Sequence, residues 1–307
     1  MFKISSQSRS LVRQALREDI GTGDITTDAL VPSAFVGEAR IEAKASGILC
    51  GGPVVLEVFR LVDPRLKIER KVSDGARVSK GKSAFVIRGR VASILKGERV
   101  ALNFLSHLSG IATLTNQFVS KTKGTRAEIY DTRKTTPLWR ELEKYAVRCG
   151  GGQNHRLGLW DEVLVKDNHW YAIGMQPSLR GGQKGQRSNL GVQRLLQSLR
   201  SFAMTNRRKI PVEVEAADLK ELSHLLEADF HMDRILLDNF SVPQLRQAVH
   251  LVRRSHNRIL LEASGGVTLA NVCQIAKAGV DRISVGALTH SAPALDFSLN
   301  LGRVGKK

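Results

Sequence analysis

The sequence predicts an α/β protein in which a β-rich amino-terminal unit precedes a barrel-like domain of parallel strands alternating with helices. Three observations predict it. Short alternating segments divided by turn residues fill the first hundred positions. From about residue 125, strand-length apolar runs recur, each followed by a helical stretch. Five of the six runs carry Lys, Arg, Asp or Glu at or near their ends. Strands alternating with helices form right-handed βαβ units, and hence a parallel sheet buried on both faces.

Taken in order, residues 8–20 read as an amphipathic helix carrying Leu11, Val12, Ala15, Leu16 and Ile20, which Gly21-Thr22-Gly23-Asp24 ends with a turn. Glu38–Ala45, Leu66–Lys71 and Ser83–Arg90 alternate like strands, separated by turns such as Ser73-Asp74-Gly75. Glu98 to Leu114 sets Val100, Ala101, Phe104, Leu105, Leu108 and Ile111 on one helical face. The later strand runs are Ala127–Arg133, Val163–His169, Pro211–Glu215, Ile235–Asn239, Ile259–Ser264 and Ile283–Gly286, and Val192 to Phe202 has the spacing of a short helix.

The chain of 307 residues is 42% apolar and 25% charged, enough for one large domain or two modest ones. No run of about 18 apolar residues occurs, and the N-terminus lacks the apolar core of a secretory signal, so a soluble, cytoplasmic protein is expected. Cys50, Cys149 and Cys273 show neither CxxC nor Cys/His ligand spacing, which suits a reducing compartment, and none has an obvious His base for nucleophilic catalysis. Lys plus Arg is 47 against 29 Asp plus Glu, a net charge of +18 that steers anions and keeps phosphorylated substrates and nucleic acid as candidates. Asn168 to Val212 holds eight Lys or Arg and no acid, centred on Arg180-Gly181-Gly182-Gln183-Lys184-Gly185. It reads as a flexible basic loop and helix surface or as a contact with phosphate or nucleic acid, although no aromatic residue interleaves the central cations for base stacking.

In a parallel α/β sheet the carboxyl ends of the strands host the chemistry. Arg133, Lys134, His155, Arg156 and Lys166 lie at or near the early strand ends. Because a guanidinium grips carboxylate or phosphate through two parallel hydrogen bonds, the cluster forms a site for a multiply charged anion, whereas any one arginine alone could be a surface ion-pair partner. Glu213, Glu215 and Asp238 follow on the middle strands. Glu213 and Glu215 point to the same side, with lysines as the obvious partners, and such carboxylates bind Mg²⁺, hold sugar hydroxyls, stabilise an oxocarbenium ion or form structural Lys–Glu pairs. The last two strands run into Glu262-Ala263-Ser264-Gly265-Gly266-Val267-Thr268 and Ser284-Val285-Gly286-Ala287-Leu288-Thr289-His290. Each places Gly where a backbone N–H can approach an anion before a helix starts, as in barrel phosphate sites.

Seven strings, with Glu18–Thr26 at the opening, carry a family resemblance: Glu98-Arg99-Val100-Ala101-Leu102-Asn103, His107–Thr113, Asp131-Thr132-Arg133-Lys134-Thr135, Gly151-Gly152-Gln153-Asn154-His155-Arg156, Lys166-Asp167-Asn168-His169, Leu237-Asp238-Asn239-Phe240 and Glu262–Gly266. In this order, from about Leu11 to Asn300, the chain resembles the quinolinate phosphoribosyltransferases, the carboxylating nicotinate-nucleotide pyrophosphorylases of NAD biosynthesis. The resemblance implies an α/β sandwich over 1–112 on an incomplete (β/α) barrel over 113–288, with 289–307 free to pack back on the first domain. It further implies a homodimer or higher oligomer whose sites are shared between subunits, quinolinate and phosphoribosyl pyrophosphate as substrates, and Mg²⁺. By that resemblance Arg133, His155, Arg156 and Lys166, with Thr132 beside them, form the quinolinate clamp, and Arg99 reaches in from the other subunit. Lys134 contacts phosphate and acts with Lys166, Glu215 and Asp238 as the catalytic set. Glu215 and Asp238 serve the ribose and metal, directly or through water or substrate, and Ser264, Gly265, Gly266, Val285, Gly286 and Ala287 hold the 5′-phosphate.

One departure is that about Ile173 to Asn189 is longer and more basic than the family leads one to expect. The competing readings are a family paralogue acting on another aromatic acid, an aldolase-like Schiff base at Lys166, and a basic nucleic-acid-binding protein. Retention of Arg99, Arg133, His155 and Arg156 favours quinolinate, and neither nucleic acid nor a membrane is expected as a partner.

Overall fold

A computed structural model describes residues 2–172, 210–227, 232–254 and 259–306. The basic stretch 173–189 and the helix expected over 192–202 lie outside the described residues. The chain divides into two units, one made of Met1–Val119, Lys134–Asn154 and Gly286–Lys307, the other of Ser120–Arg133 and His155–Val285.

The first unit is built on a four-stranded antiparallel sheet in the order Phe297–Lys306, Phe35–Ala43, Ser83–Arg90, Lys67–Arg70. Period-two patterning drives it: Ala39, Ile41 and Ala43 are buried while Arg40 between them is exposed. The final strand, which the sequence pattern did not single out, pairs with Phe35–Ala43 along nearly its whole length and extends that strand beyond the Glu38 start read from alternation. The helix Ser6–Ile20 buries Val12 and Leu16 and begins at Ser5, whose hydroxyl accepts the Ser8 N–H at 3.1 Å. Gly52–Val62 adds Val54, Val55, Val58 and Phe59 to the core, and Val91–Lys121 adds Ile94, Val100, Phe104, Leu105 and Leu108. This second helix is longer than the expected Glu98–Leu114 because its buried stripe continues back to Val91. Gly97 does not break it; a Cβ there would stand 2.7 Å from the Phe59 ring, so the missing side chain is what admits that ring.

The second unit holds six parallel strands in the order Glu128–Tyr130, Arg282–Ser284, Leu260–Ser264, Arg234–Asp238, Val212–Ala216, Val163–Val165. This is chain order read around a ring, with the first strand beside the last. Among the described residues no ladder joins Glu128–Tyr130 to Val163–Val165, so the barrel is incomplete. All six strands coincide with the six runs read from the sequence. The ladders stop at Tyr130 and Val165, short of the charged residues that follow, because those side chains belong to the loop after the first strand and to the helix Asp167–Ala172 after the second. Helices Leu219–Glu227, Val242–Arg254 and Val272–Lys277 turn Leu222, Leu225, Leu245, Ala248, Val252, Val272 and Ile275 inward. Among the described residues no helix is long and apolar enough to cross a membrane.

Candidate active site

Because the six strands run the same way, their last residues, Tyr130, Val165, Ala216, Asp238, Ser264 and Ser284, share one end of the second unit. Of the residues singled out from the sequence, Thr132, Arg133, His155, Arg156, Lys166, Glu215, Asp238, Ser264, Gly265, Gly266 and Val285 belong to this unit. Arg99, Lys134, Gly286 and Ala287 belong to the other.

Below the strand ends lies a buried charged layer. His155 Nε2 is 3.1 Å from Glu213 Oε2 and 3.4 Å from Glu262 Oε1, and both glutamates are fully buried. The His155 backbone N–H donates to the buried Asp131 carboxylate at 2.9 Å, and Ser284 Oγ donates to Glu262. Arg234, in register beside Glu213, pairs with Glu162 and lies 3.7 Å from Glu213. Burial opposes a charge on His155, but the hydrogen bonds and charges of Glu213 and Glu262 outweigh it and push the imidazole up to about 9. Glu213 is raised by its own burial and by Glu262, whereas Glu262, though buried, is lowered by His155 and Ser284. Nδ1 of His155 accepts the Arg156 N–H at 2.8 Å, which favours the ring proton on Nε2, so the extra proton belongs to the His155–Glu213 pair as a unit.

A second set of charges lies at the strand ends. Arg156 is buried, its Nη1 donating to the Glu162 carbonyl at 3.1 Å, and burial followed by the charge of Arg133 lowers its pKa. Two guanidiniums close enough to repel one another are stabilised by an anion between them. Across the sheet, Lys166 Nζ donates to Glu215 Oε2 at 3.0 Å, as their register requires: Val165 pairs with Val214, which sets the next two residues level. Glu215 is raised by burial and, against Lys166, by the charges of Asp238 and Asp167. The two glutamates on one strand therefore have different fates, Glu215 with the expected lysine and Glu213 with a histidine.

The loop after Ser264 is shaped by its neighbour. Asn239, in the left-handed region at φ 56, donates its backbone N–H to the Ser264 carbonyl at 2.8 Å and its side-chain amide to Asp238 at 2.7 Å. Gly265 has φ 91, and a Cβ there would stand 2.1 Å from Asn239 Oδ1, so only glycine fits. The next helix begins only at Val272, hence the donors available near Gly265 and Gly266 are turn N–H groups and not a helix terminus. In the first unit, Arg99 is an exposed residue of Val91–Lys121. There Lys134 lies alongside Gly286, its Cδ 3.3 Å from where a Cβ would stand, and its carbonyl accepts from Thr289 Oγ1 at 2.6 Å.

Sequence reasoning singled out neither Arg234 nor Glu162, named Glu262 only within its strand-end string, and offered Glu213 as a candidate carboxylate with lysine, not histidine, as the partner. A signal was present in Glu213 and Glu262, since a carboxylate in the middle of a strand buried on both faces needs a charged partner.

The chain is similar to proteins of known kind along its length. Residues 24–109 match the family model described as quinolinate phosphoribosyl transferase, N-terminal domain, and residues 111–300 match that of the C-terminal domain. A Mycobacterium leprae protein named nicotinate-nucleotide pyrophosphorylase (carboxylating) is 40% identical over 299 residues, spanning 96% of this chain and 97% of the relative. A Nicotiana glauca protein named quinolinate phosphoribosyltransferase (decarboxylating) 1 is 39% identical over 307 residues, spanning 95% of this chain and 82% of the relative. The structure of the nicotinate-nucleotide pyrophosphorylase from Francisella tularensis superposes with a TM-score of 0.84 at 36% identity, covering 98% of each chain.

Proposed function

The chain belongs to the quinolinate phosphoribosyltransferase family, and we propose that it transfers the phosphoribosyl group of phosphoribosyl pyrophosphate to quinolinate with decarboxylation, giving nicotinate mononucleotide, pyrophosphate and CO₂ in NAD biosynthesis. The observation that carries this reading is the gathering of Arg133, Arg156, His155 and Lys166 at the end of the parallel sheet that also holds Glu215 and Asp238. A pyridine dicarboxylate carries two negative charges and needs such convergent cations, while a ribosyl centre that gains positive charge needs carboxylates.

In this reading Arg133 and Arg156 hold the two carboxylates with Lys166, and His155 is oriented beneath them by Glu213, Glu262 and Asp131. The ring nitrogen forms its bond to C1 of the ribose as the C1–oxygen bond to pyrophosphate breaks. The quaternised nitrogen then stabilises the electron pair left on C2 when the bond to CO₂ breaks, and that pair takes up a proton to form the C2–H bond. The substrates carry this chemistry, so positioning and electrostatics are the protein's share. Glu215 and Asp238 are also the oxygen donors suited to Mg²⁺: burial first and then the charges of Asp238 and Asp167 raise Glu215, and a divalent cation offsets that neighbouring negative charge. They would hold Mg²⁺ together with phosphoribosyl pyrophosphate, and the ion would supply charge neutralisation for the leaving pyrophosphate. Lys134 takes a phosphate, and the Ser264–Gly266 and Val285–Ala287 loops take the 5′-phosphate through N–H groups. A cytoplasmic homodimer completes the reading, with the exposed Arg99 entering the partner's site.

The test is an assay of quinolinate with phosphoribosyl pyrophosphate and Mg²⁺ that follows pyrophosphate and CO₂ together. Equal, coincident release of both supports the reading; pyrophosphate without CO₂ would mean transfer or hydrolysis without decarboxylation and would overturn the decarboxylating assignment, and release of neither would overturn the reading altogether.

A further inference from the structure

Cys50 and Cys149, roughly a hundred residues apart in sequence, meet in the first unit. Their sulfurs and a carboxylate oxygen of Asp74 all lie within 4.8 Å of one another. Cys50 is fully buried just before the turn that opens the helix Gly52–Val62, and its backbone is tied to Ser109, with Cys50 N–H donating to Ser109 Oγ at 2.9 Å and Ser109 Oγ donating back to the Cys50 carbonyl at 3.0 Å. Cys149 is the last residue of the helix Arg140–Cys149 and is partly exposed.

The cluster has the ligand types of a metal site, but Asp74 is already engaged. Its two oxygens accept Gly51 N–H at 3.1 Å, Gly52 N–H at 3.0 and 3.2 Å, and the Tyr145 hydroxyl at 2.7 Å. Tyr145 is in turn stacked on Phe2 with ring centroids 4.1 Å apart. A carboxylate saturated in this way serves the Gly51–Gly52 turn and leaves two sulfurs facing each other.

We propose that Cys50 and Cys149 are a dithiol that a hydroperoxide converts to a disulfide, with Cys149 as the attacking sulfur and Cys50 as the resolving one. The two sulfurs are unequal in the required sense. Of the two, Cys149 is the partly exposed one, and its thiol is lowered chiefly by hydrogen bonding from Cys50, whereas burial first of all raises Cys50 and keeps its proton. The Cys149 thiolate attacks the terminal peroxide oxygen, the O–O bond breaks, and the alcohol or water leaves with a proton from solvent. Cys50 sulfur then attacks the Cys149 sulfenic acid; the S–S bond forms, the S–O bond breaks, and the departing hydroxide takes the Cys50 proton as water. Two thiols and one hydroperoxide give one disulfide, one alcohol or water, and one water. The bond ties the start of Gly52–Val62 to the end of Arg140–Cys149.

The experiment treats the full-length protein with hydrogen peroxide, counts thiols after denaturation and maps the peptides by mass spectrometry. The expected result is a fall from three thiols to one, with Cys273 retained, and a Cys50–Cys149 cross-linked peptide that dithiothreitol releases. In Cys50→Ser, or Cys50→Ala if serine is not tolerated, Cys149 should accumulate a sulfenic acid trapped by dimedone; in Cys149→Ser, Cys50 should stay reduced at the same dose. Sulfinic acid on wild-type Cys149 beside an intact Cys50 thiol, a cross-link through Cys273, no loss of thiols, or a stoichiometric zinc ion released on thiol modification would each overturn the proposal. The wild-type map decides the question even if neither variant folds.

Discussion

His155 Nε2 lies 3.1 Å from Glu213 Oε2 inside the parallel-strand unit, so a titratable ring and a fully buried carboxylate share one proton position. The imidazole is held up at about 9, above its ordinary 6.5. A raised pKa contributes stability that is fully present below the unfolded value and is lost as pH rises through the folded one. Thermal stability should therefore decline between about pH 6.5 and 9, by no more than about 3 kcal/mol from this group. Calorimetric Tm against pH checks it: His155→Gln should flatten that limb, and an equally steep limb in the variant would assign it elsewhere.

Nicotinate lacks one of the two carboxylates and would leave a buried guanidinium unpaired. It should be rejected relative to quinolinate by roughly 10³-fold or more in kcat/KM. Competing initial-rate assays measure the ratio, and comparable rates would remove the role given to Arg133 and Arg156.

Glu215→Gln and Asp238→Asn should each lower kcat more than they weaken quinolinate binding, because ribosyl charge appears only in the transition state. Single-turnover rates set beside quinolinate titrations separate the two effects. Collapse of affinity with kcat intact would move these residues into the clamp.

Gly265→Ala sets a Cβ 2.1 Å from Asn239 Oδ1 on a backbone at φ 91. The expected cost is about 1–3 kcal/mol of local strain, read as a raised KM for phosphoribosyl pyrophosphate or a lower Tm. An unchanged KM and Tm would mean that the Asn239–Gly265 contact relaxes freely.

Arg99→Ala and Arg133→Ala should each be nearly inactive alone. Unfolded together in equal amounts and refolded, they form mixed dimers for half of the population, each with one doubly mutant and one intact site, so about a quarter of wild-type activity returns. Subunit exchange verified by tag pull-down with no activity regained would place Arg99 in its own subunit's site.

By itself the sequence determined the six parallel strands of the second unit and the positions of its charged strand ends. Six apolar runs of strand length, each broken by a helix and closed by polar residues, state that information locally, and the strands formed over those runs. The motifs around Arg133, His155, Lys166, Asp238 and Ser264 were legible for the same reason: each is a contiguous string. Tertiary structure alone decided which charges meet. Glu213 and Glu215 sit two positions apart on one strand and are indistinguishable by period, yet one pairs with His155 and the other with Lys166. Their partners are set by strand register and by the loop that carries His155, which no local pattern encodes. Likewise the strand Phe297–Lys306 exists through its ladder with Phe35–Ala43, and Cys50 meets Cys149 only once the helices that flank them are packed. Periodicity is a property of neighbouring residues, whereas ion pairs and thiol pairs form where distant segments close on one another, and the energetics of burial act only there.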